Sequence, residues 1–203
     1  MNKQELDPYK RNKMATENRL PLIVKIPYTI LQNNELSLND KLILGLDYTF
    51  SLKNGSNTMN SKQVSELFHL HSNIVRDCRK KLVAQGYLSK NKQVYILTSK
   101  FEEFSTITED KRTIYIPSEI YKHPTLRTGE KLLWGEYNSI SKGEKTYFAS
   151  RDYTAKRLDV SKESITKWTL SLEQKKLITL FYRIGFCTHQ RLITTCRFDL
   201  QIN

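Results

Sequence analysis

Residues Ser61 to Leu88 read SKQVSELFHLHSNIVRDCRKKLVAQGYL. The spacing predicts two short helices joined by a tight turn. Ser61 is the expected N-cap of the first, which turns Val64, Leu67 and Phe68 inward. After a turn at His69 to His71, the second buries Val75, Cys78 and Leu82 and stops at Gly86. A hydroxyl at the start, apolar residues at i, i+3 and i+7, and glycine at the end are ordinary helix-boundary chemistry. Lys and Arg outnumber the two carboxylates, Glu66 and Asp77, along this stretch. A basic pair of helices with a tight turn suggests a helix-turn-helix, whose second helix enters a DNA major groove.

Downstream, Tyr87 to Thr98 alternates around a polar Lys90-Asn91-Lys92 and reads as a hairpin, or wing. Upstream, Asn54-Gly55 is a turn signal. Before it, Leu38, Leu42, Leu46 and Phe50 share one helical face, with Ser37 as the cap. Leu22 to Ile26 is an apolar run closed by Pro27, consistent with a strand ending there. Residues 1 to 19 are polar and unpatterned, an expected arm in which Lys10, Arg11, Lys13 and Arg19 lie. Residues 99 to 112 carry carboxylates and little apolar pattern beyond Phe101, Phe104 and Ile107, and read as a linker, helical in part.

A shift of 90 residues then brings the pattern back. Ile26-Pro27 falls on Ile116-Pro117, Ile30 on Ile120, Leu36 on Leu126 and Lys41-Leu42 on Lys131-Leu132. Gly45 meets Gly135, Ser51 meets Ser141 and Leu82 meets Leu172, while Val75 and Leu88 meet Ile165 and Ile178. Several core positions in one ungapped register indicate an internal duplication into two similar units, each long enough to fold. The second copy of the opening stretch is SRDYTAKRLDVSKESITKWTLSLEQKKLI, with Ser150 and Ser161 as expected N-caps. Its hairpin is longer, Thr179 to Ile184 and Arg191 to Cys196 about a turn at Gly185. The expected fold class is α+β, mainly helical, with two tandem winged helix-turn-helix domains at 20–98 and 113–203.

Composition agrees with a polyanionic partner. The 203 residues carry a formal charge of +12 and a pI near 9.5, which favours nucleic acid or an anionic surface. An apolar share of 38% with 10% aromatic excludes wholesale disorder. No apolar run approaches the roughly 18 residues that span a bilayer, and MNKQELDPYKRNK lacks the apolar stretch of a signal peptide. Cysteines at 78, 187 and 196 make no disulfide framework. A cytoplasmic protein, associated with nucleoid or plasmid, is expected, with no membrane partner.

The second copy carries Ala155, Leu158, Val160-Ser161, Ile165, Leu172 and Leu177-Ile178 behind Ile116-Pro117 and Glu130-Lys131-Leu132-Leu133-Trp134-Gly135. Over residues 22 to 196 this resembles the tandem winged helix-turn-helix DNA-binding proteins of bacterial plasmids, phages and mobile elements. That resemblance implies a transcriptional regulator or a replication initiator. One departure is that the turn position usually held by glycine is His69 in one copy and Asp159 in the other. Asp tolerates a left-handed backbone better than His, so the first turn is expected to be built differently.

With Val75, Cys78 and Leu82 inward, Asn73, Asp77, Lys80 and Ala84 point away at 100° per residue, with Arg76 flanking. Asn pairs with adenine, Arg with guanine, and Asp accepts from cytosine. Asn73, Arg76 and Asp77 are therefore the expected base readers, with Ser72 and Lys80 on phosphates and Lys90 and Lys92 on the adjacent backbone. In the second copy the equivalent outward set is Glu163, Thr166, Lys167 and Leu170. Leu170 suits a groove poorly and Trp168 adds apolar bulk. Either that helix is rotated so that Lys162, Ser164, Thr166 and Lys167 meet DNA, or it packs against a partner.

Paired histidines at 69 and 71 near Cys78, and Cys187 near His189, lack zinc-finger spacing, so no metal or cofactor is expected. No phosphate loop, HExxH or GxSxG occurs, so no enzyme is expected. The leading expectation is a sequence-specific double-stranded DNA binder acting as a transcriptional regulator. A monomer would favour an asymmetric site with two elements about one helical turn apart, and a homodimer would double that footprint. Two alternatives stay open: a plasmid or phage replication initiator binding origin repeats, and a winged-helix protein-interaction module without DNA readout.

Overall fold

The computed structural model describes residues 23–107, 112–184 and 189–198. The expected arm, Leu22 and the Gly185 turn lie outside them. The chain is α+β and mainly helical. It opens with β1 (Ile23–Pro27) and a short α1 (Tyr28–Gln32), followed by α2 (Leu38–Asn54), α3 (Ser61–Phe68) and α4 (Ser72–Ala84). The hairpin β2 (Leu88–Asn91) and β3 (Val94–Leu97) leads into α5 (Ser99–Ile107), which occupies most of the expected linker. Then come β4 (Thr113–Pro117), α6 (Ser118–Tyr121), α7 (Thr128–Ser141), α8 (Arg151–Leu158), α9 (Lys162–Gln174) and the hairpin β5 (Ile178–Ile184) and β6 (His189–Thr195).

Local chemistry sets the boundaries. Ser37 and Asp40 form a capping box that starts α2, and Gly55 ends it in the left-handed conformation at φ 73°. The first short helix is capped by Asn60 with Gln63, one residue before the expected Ser61. Ser150 and Ser161 cap α8 and α9 as expected, each accepting from a backbone N–H three residues on. The two helix turns are alike, contrary to expectation: His69 lies at φ 54°, ψ 44° and Asp159 at φ 57°, ψ 57°. Each closes its helix with the same bond from the turn N–H to the carbonyl four residues back. That bond outweighs the small conformational penalty His carries there.

The helix α2 is buried on more than its expected face, because Ile43 and Leu44 are covered as fully as Leu42 and Leu46. It is enclosed by β1 on one side, α4 on another and α7 on a third. A Cβ on Gly45 would lie 2.4 Å from Ile26 Cγ1, so glycine is what lets helix and strand touch. Gly135 of α7 does the same against Ile114 and Ile116.

Three two-stranded antiparallel sheets complete the described fold, two of them the hairpins. The third pairs β1 with β4, in the register Val24 to Ile116, Lys25 to Tyr115 and Ile26 to Ile114. Isolated bridges tie each hairpin back to its own unit, Asn57 to Tyr95 and Tyr147 to Ile193. The buried apolar side chains form one continuous cluster running from Val24 to Ile193. Segment 99–112 therefore separates two sequences but not two cores. Side chains cross it repeatedly. Lys41 Nζ donates to the Leu158 carbonyl at 3.0 Å, and Lys131 Nζ to the Phe68 carbonyl at 2.8 Å. Tyr28 donates to Glu136 at 2.6 Å, and Tyr121 sets its ring edge-on to Phe68.

Candidate nucleic-acid interface

The helix α4 is held by an inner stripe of Val75, Cys78, Arg79 and Leu82, all buried. The sequence reading missed Arg79. It sits four residues after Val75 and three before Leu82, so the same periodicity that found those two contained it. Its guanidinium bonds Asp47 at 2.9 Å and the Met59 carbonyl at 2.6 Å, and stacks over the Tyr95 ring 4.0 Å from its centre. Asn57 donates to the same Asp47 oxygen at 2.6 Å. Burial pushes the Asp47 carboxyl up, against the pull of Arg79 and Asn57. One charged cluster thus joins α2, α4 and the wing strand β3, and fixes the wing relative to the helix.

The outer face carries the expected readers. Asn73, Arg76, Asp77 and Lys80 are all exposed, while Ser72 is half-buried in the first turn. His71 caps that turn, its Nδ1 accepting from the Asn73 N–H at 3.3 Å. Lys81 is not part of the open face: it pairs with Asp40 at 2.9 Å and bonds the Glu35 carbonyl. Burial alone would raise the Asp40 carboxyl, yet hydrogen bonds from Lys81, Cys78 and Ser37 hold it below the usual range. The Cys78 thiol is pushed up to about 12 by burial and by Asp40, so it is a poor nucleophile and a poor metal ligand. Lys90 and Lys92 are exposed on the wing, with Lys92 at the tip at φ 53° and Lys90 over the outer edge of Tyr95.

Further along, α9 buries Ile165, Thr169 and Leu172, which at the shift of 90 residues correspond to Val75, Arg79 and Leu82. The helix α9 thus turns the same sequence positions inward as α4 does. Trp168 packs beside that stripe. Its ring lies over Gly129 of α7, where a Cβ would come within 2.4 Å of it, so the indole fills the seam between the helices. Lys162, Glu163, Lys167 and Leu170 are exposed and Thr166 is half-buried, accepting from Arg151 at 3.2 Å. Ser164 is half-buried, its N–H spent on the Ser161 cap. Lys162 is paired with Asp152 at 2.6 Å. Glu163 stands where α4 has Asn73, and its own backbone N–H and Ser161 keep its carboxyl below the usual range. A carboxylate at that helix start opposes a phosphate there.

Beyond the second helix, the hairpin β5–β6 exposes Phe181, Tyr182 and Ile184, and Leu170 is exposed on α9. Among the described residues no group of three metal-ligating side chains converges, and no helix is long and apolar enough to cross a membrane.

No family model matches the chain, and no curated protein is similar to it. One solved structure, the DIP2311 protein from Corynebacterium diphtheriae, is similar over 76% of this chain at 10% identity and a TM-score of 0.25. This chain spans 26% of that one.

Proposed function

We propose that the protein is a sequence-specific double-stranded DNA-binding protein, acting as a transcriptional regulator, with two tandem winged helix-turn-helix units derived by duplication. The units are residues 20–98 and 113–203, joined by 99–112. What supports this is the outer face of α4. Asn73, Arg76, Asp77 and Lys80 stand exposed together on a helix whose inner stripe is locked by the buried Arg79–Asp47 pair. Such a helix presents side chains that match base edges and phosphates on a rigid mount, beside a wing bearing Lys90 and Lys92. The net charge of +12 supplies the long-range attraction. In the second unit Lys162, Thr166 and Lys167 provide a weaker contact.

A second reading has its own observation. Leu170, Tyr182 and Ile184 are exposed and apolar, which favours a protein partner on the second unit. Salt separates the two. Binding of labelled duplex should weaken by orders of magnitude between roughly 50 and 200 mM salt if several phosphates are contacted. A full chain that binds no duplex with site preference, at any salt concentration, would reject the DNA reading.

A further inference from the structure

We infer that the chain is a covalent pseudo-dimer whose target is an imperfect inverted repeat, read by one molecule with one helix on each arm. This rests on the DNA reading above and adds the symmetry of the site.

The contacts between the two units are reciprocal. In the β1–β4 ribbon, Ile26 faces Ile114 and Val24 faces Ile116. Under the 90-residue correspondence Ile26 matches Ile116 and Val24 matches Ile114, so exchanging the units maps each pair onto the other. Lys25 and Tyr115 face each other and are themselves counterparts, which places the exchange axis through that pair. The buried lysines obey the same rule. Lys41 of one unit reaches the carbonyl of Leu158, the last residue of α8. Its counterpart Lys131 reaches the carbonyl of Phe68, the last residue of α3 and the counterpart of Leu158. Likewise α1 lies on α8, and Tyr121 of α6 lies on Phe68 of α3.

Reciprocity of this kind marks a two-fold rotation. A simple translation would join two different surfaces and could not return the same contact in both directions. The lysine clamps end on the residue before each helix turn, so the axis governs the helix-turn-helix elements and not the ribbon alone. Rotation by two-fold therefore relates α4 to α9. Duplex DNA has local dyads perpendicular to its axis, and a protein with matching symmetry reads an inverted repeat. The arms differ because Asn73, Arg76, Asp77 and Lys80 correspond to Glu163, Thr166, Lys167 and Leu170.

The test uses the full chain and a duplex library with a randomised core of about three helical turns, roughly 30 bp. The same selection is run on the quadruple variant E163N/T166R/K167D/L170K, which copies the outer face of α4 onto α9. The expected result is a wild-type site with two unlike arms and a variant site whose arms are one sequence inverted. Flipping one arm of the variant site in place should then weaken binding on the order of 100-fold, and sedimentation should find one chain per site. Identical arms in direct orientation, equal binding after the flip, or two chains per site would each overturn the inference while leaving DNA binding intact. Unfolding midpoints of variant and wild type should differ little, since Glu163, Lys167 and Leu170 are exposed and Thr166, half-buried against Arg151, lies outside the buried stripe of α9. Failure of both proteins to select any sequence would remove the proposed function and this inference together.

Discussion

Residues 23–98 and 113–198, matched at a shift of 90 positions, carry different chemistry at corresponding places. In the first, the space between α2, α4 and the wing holds Asp47, Arg79 and Asn57, joined by charge-assisted bonds. In the second, the corresponding residues are Tyr137, Thr169 and Tyr147. The Tyr137 and Thr169 hydroxyls bond at 2.7 Å and the two tyrosine rings lie 4.9 Å apart. Both arrangements fill the seam beneath the second short helix, α4 or α9. The first seam uses a buried carboxylate and guanidinium, while in the second the hydroxyls of Tyr137 and Thr169 pair with each other and Tyr147 donates to Glu136 at 3.0 Å. The cost of disturbing them is not equal, because an orphaned buried charge is far worse than an orphaned hydroxyl.

That contrast can be broken. Asp47→Ala leaves Arg79 buried without its carboxylate and should cost about 3–5 kcal/mol in chemical unfolding. Tyr137→Phe, which removes one hydroxyl from the matching place, should cost about 1 kcal/mol. Near-equal losses would show that the two seams do the same energetic job. The outer faces of α4 and α9 invite a parallel pair under the proposed DNA reading. Arg76→Ala should cost on the order of 1–3 kcal/mol in duplex binding and relax preference at one base pair, while Lys80→Ala or Lys92→Ala should weaken all sequences alike. Thr166→Ala, the counterpart of the Arg76 change, should lose markedly less in the same gel-shift titration. Gly129→Ala forces the indole of Trp168 out of its seam and should destabilise by roughly 1–3 kcal/mol, with a red shift in tryptophan emission.

A smaller effect separates the two lysine clamps by pH. Burial pushes the Lys131 ammonium down to about 8, only partly offset by Glu130, and burial also lowers Lys41, with Asp159 opposing it. Between pH 8 and 10 the unfolded chain keeps a proton that folded Lys131 has released, so stability should rise with pH across that window. Above pH 10 the buried tyrosines 28, 121 and 147 turn the slope downward, since burial raises their phenols well above the usual value. Lys131→Met should flatten the rise, read from urea midpoints at several pH values. Lys41→Met should flatten it less.

Much of this was legible in the sequence, and the limits have physical causes. The boundaries of α3, α4, α8 and α9 came from caps, turns and apolar spacing, all local signals. Arg79 sat on the inward face by spacing but, like Arg157 and Glu136, was passed over because residue type assigns Arg and Glu to solvent and only tertiary pairing reverses that. Arg157 is buried against Glu136 at 3.4 Å and over the Tyr28 ring, a residue contributed by the other unit. The turn at His69 was misjudged for a related reason: conformational preference was weighed without the backbone bond that offsets it. The seat of Trp168 over Gly129 was also hidden, being a contact across 39 residues that no periodicity reports.

The β1–β4 ribbon also has a consequence in time. Its partners lie 86 to 94 residues apart, so the first strand cannot be matched until residues 113–117 have been made. Closing so long a loop is entropically slow and delays the rewards of pairing. Until then β1 has chiefly α2 to lie against, and the ring and hydroxyl of Tyr28 lack their partners Glu136, Ser139 and Arg157. The last step of folding should be the joining of the two units, slower than hairpin or helix formation. A ribosome-bound chain ending near residue 98 should remain protease-sensitive where the finished protein is not.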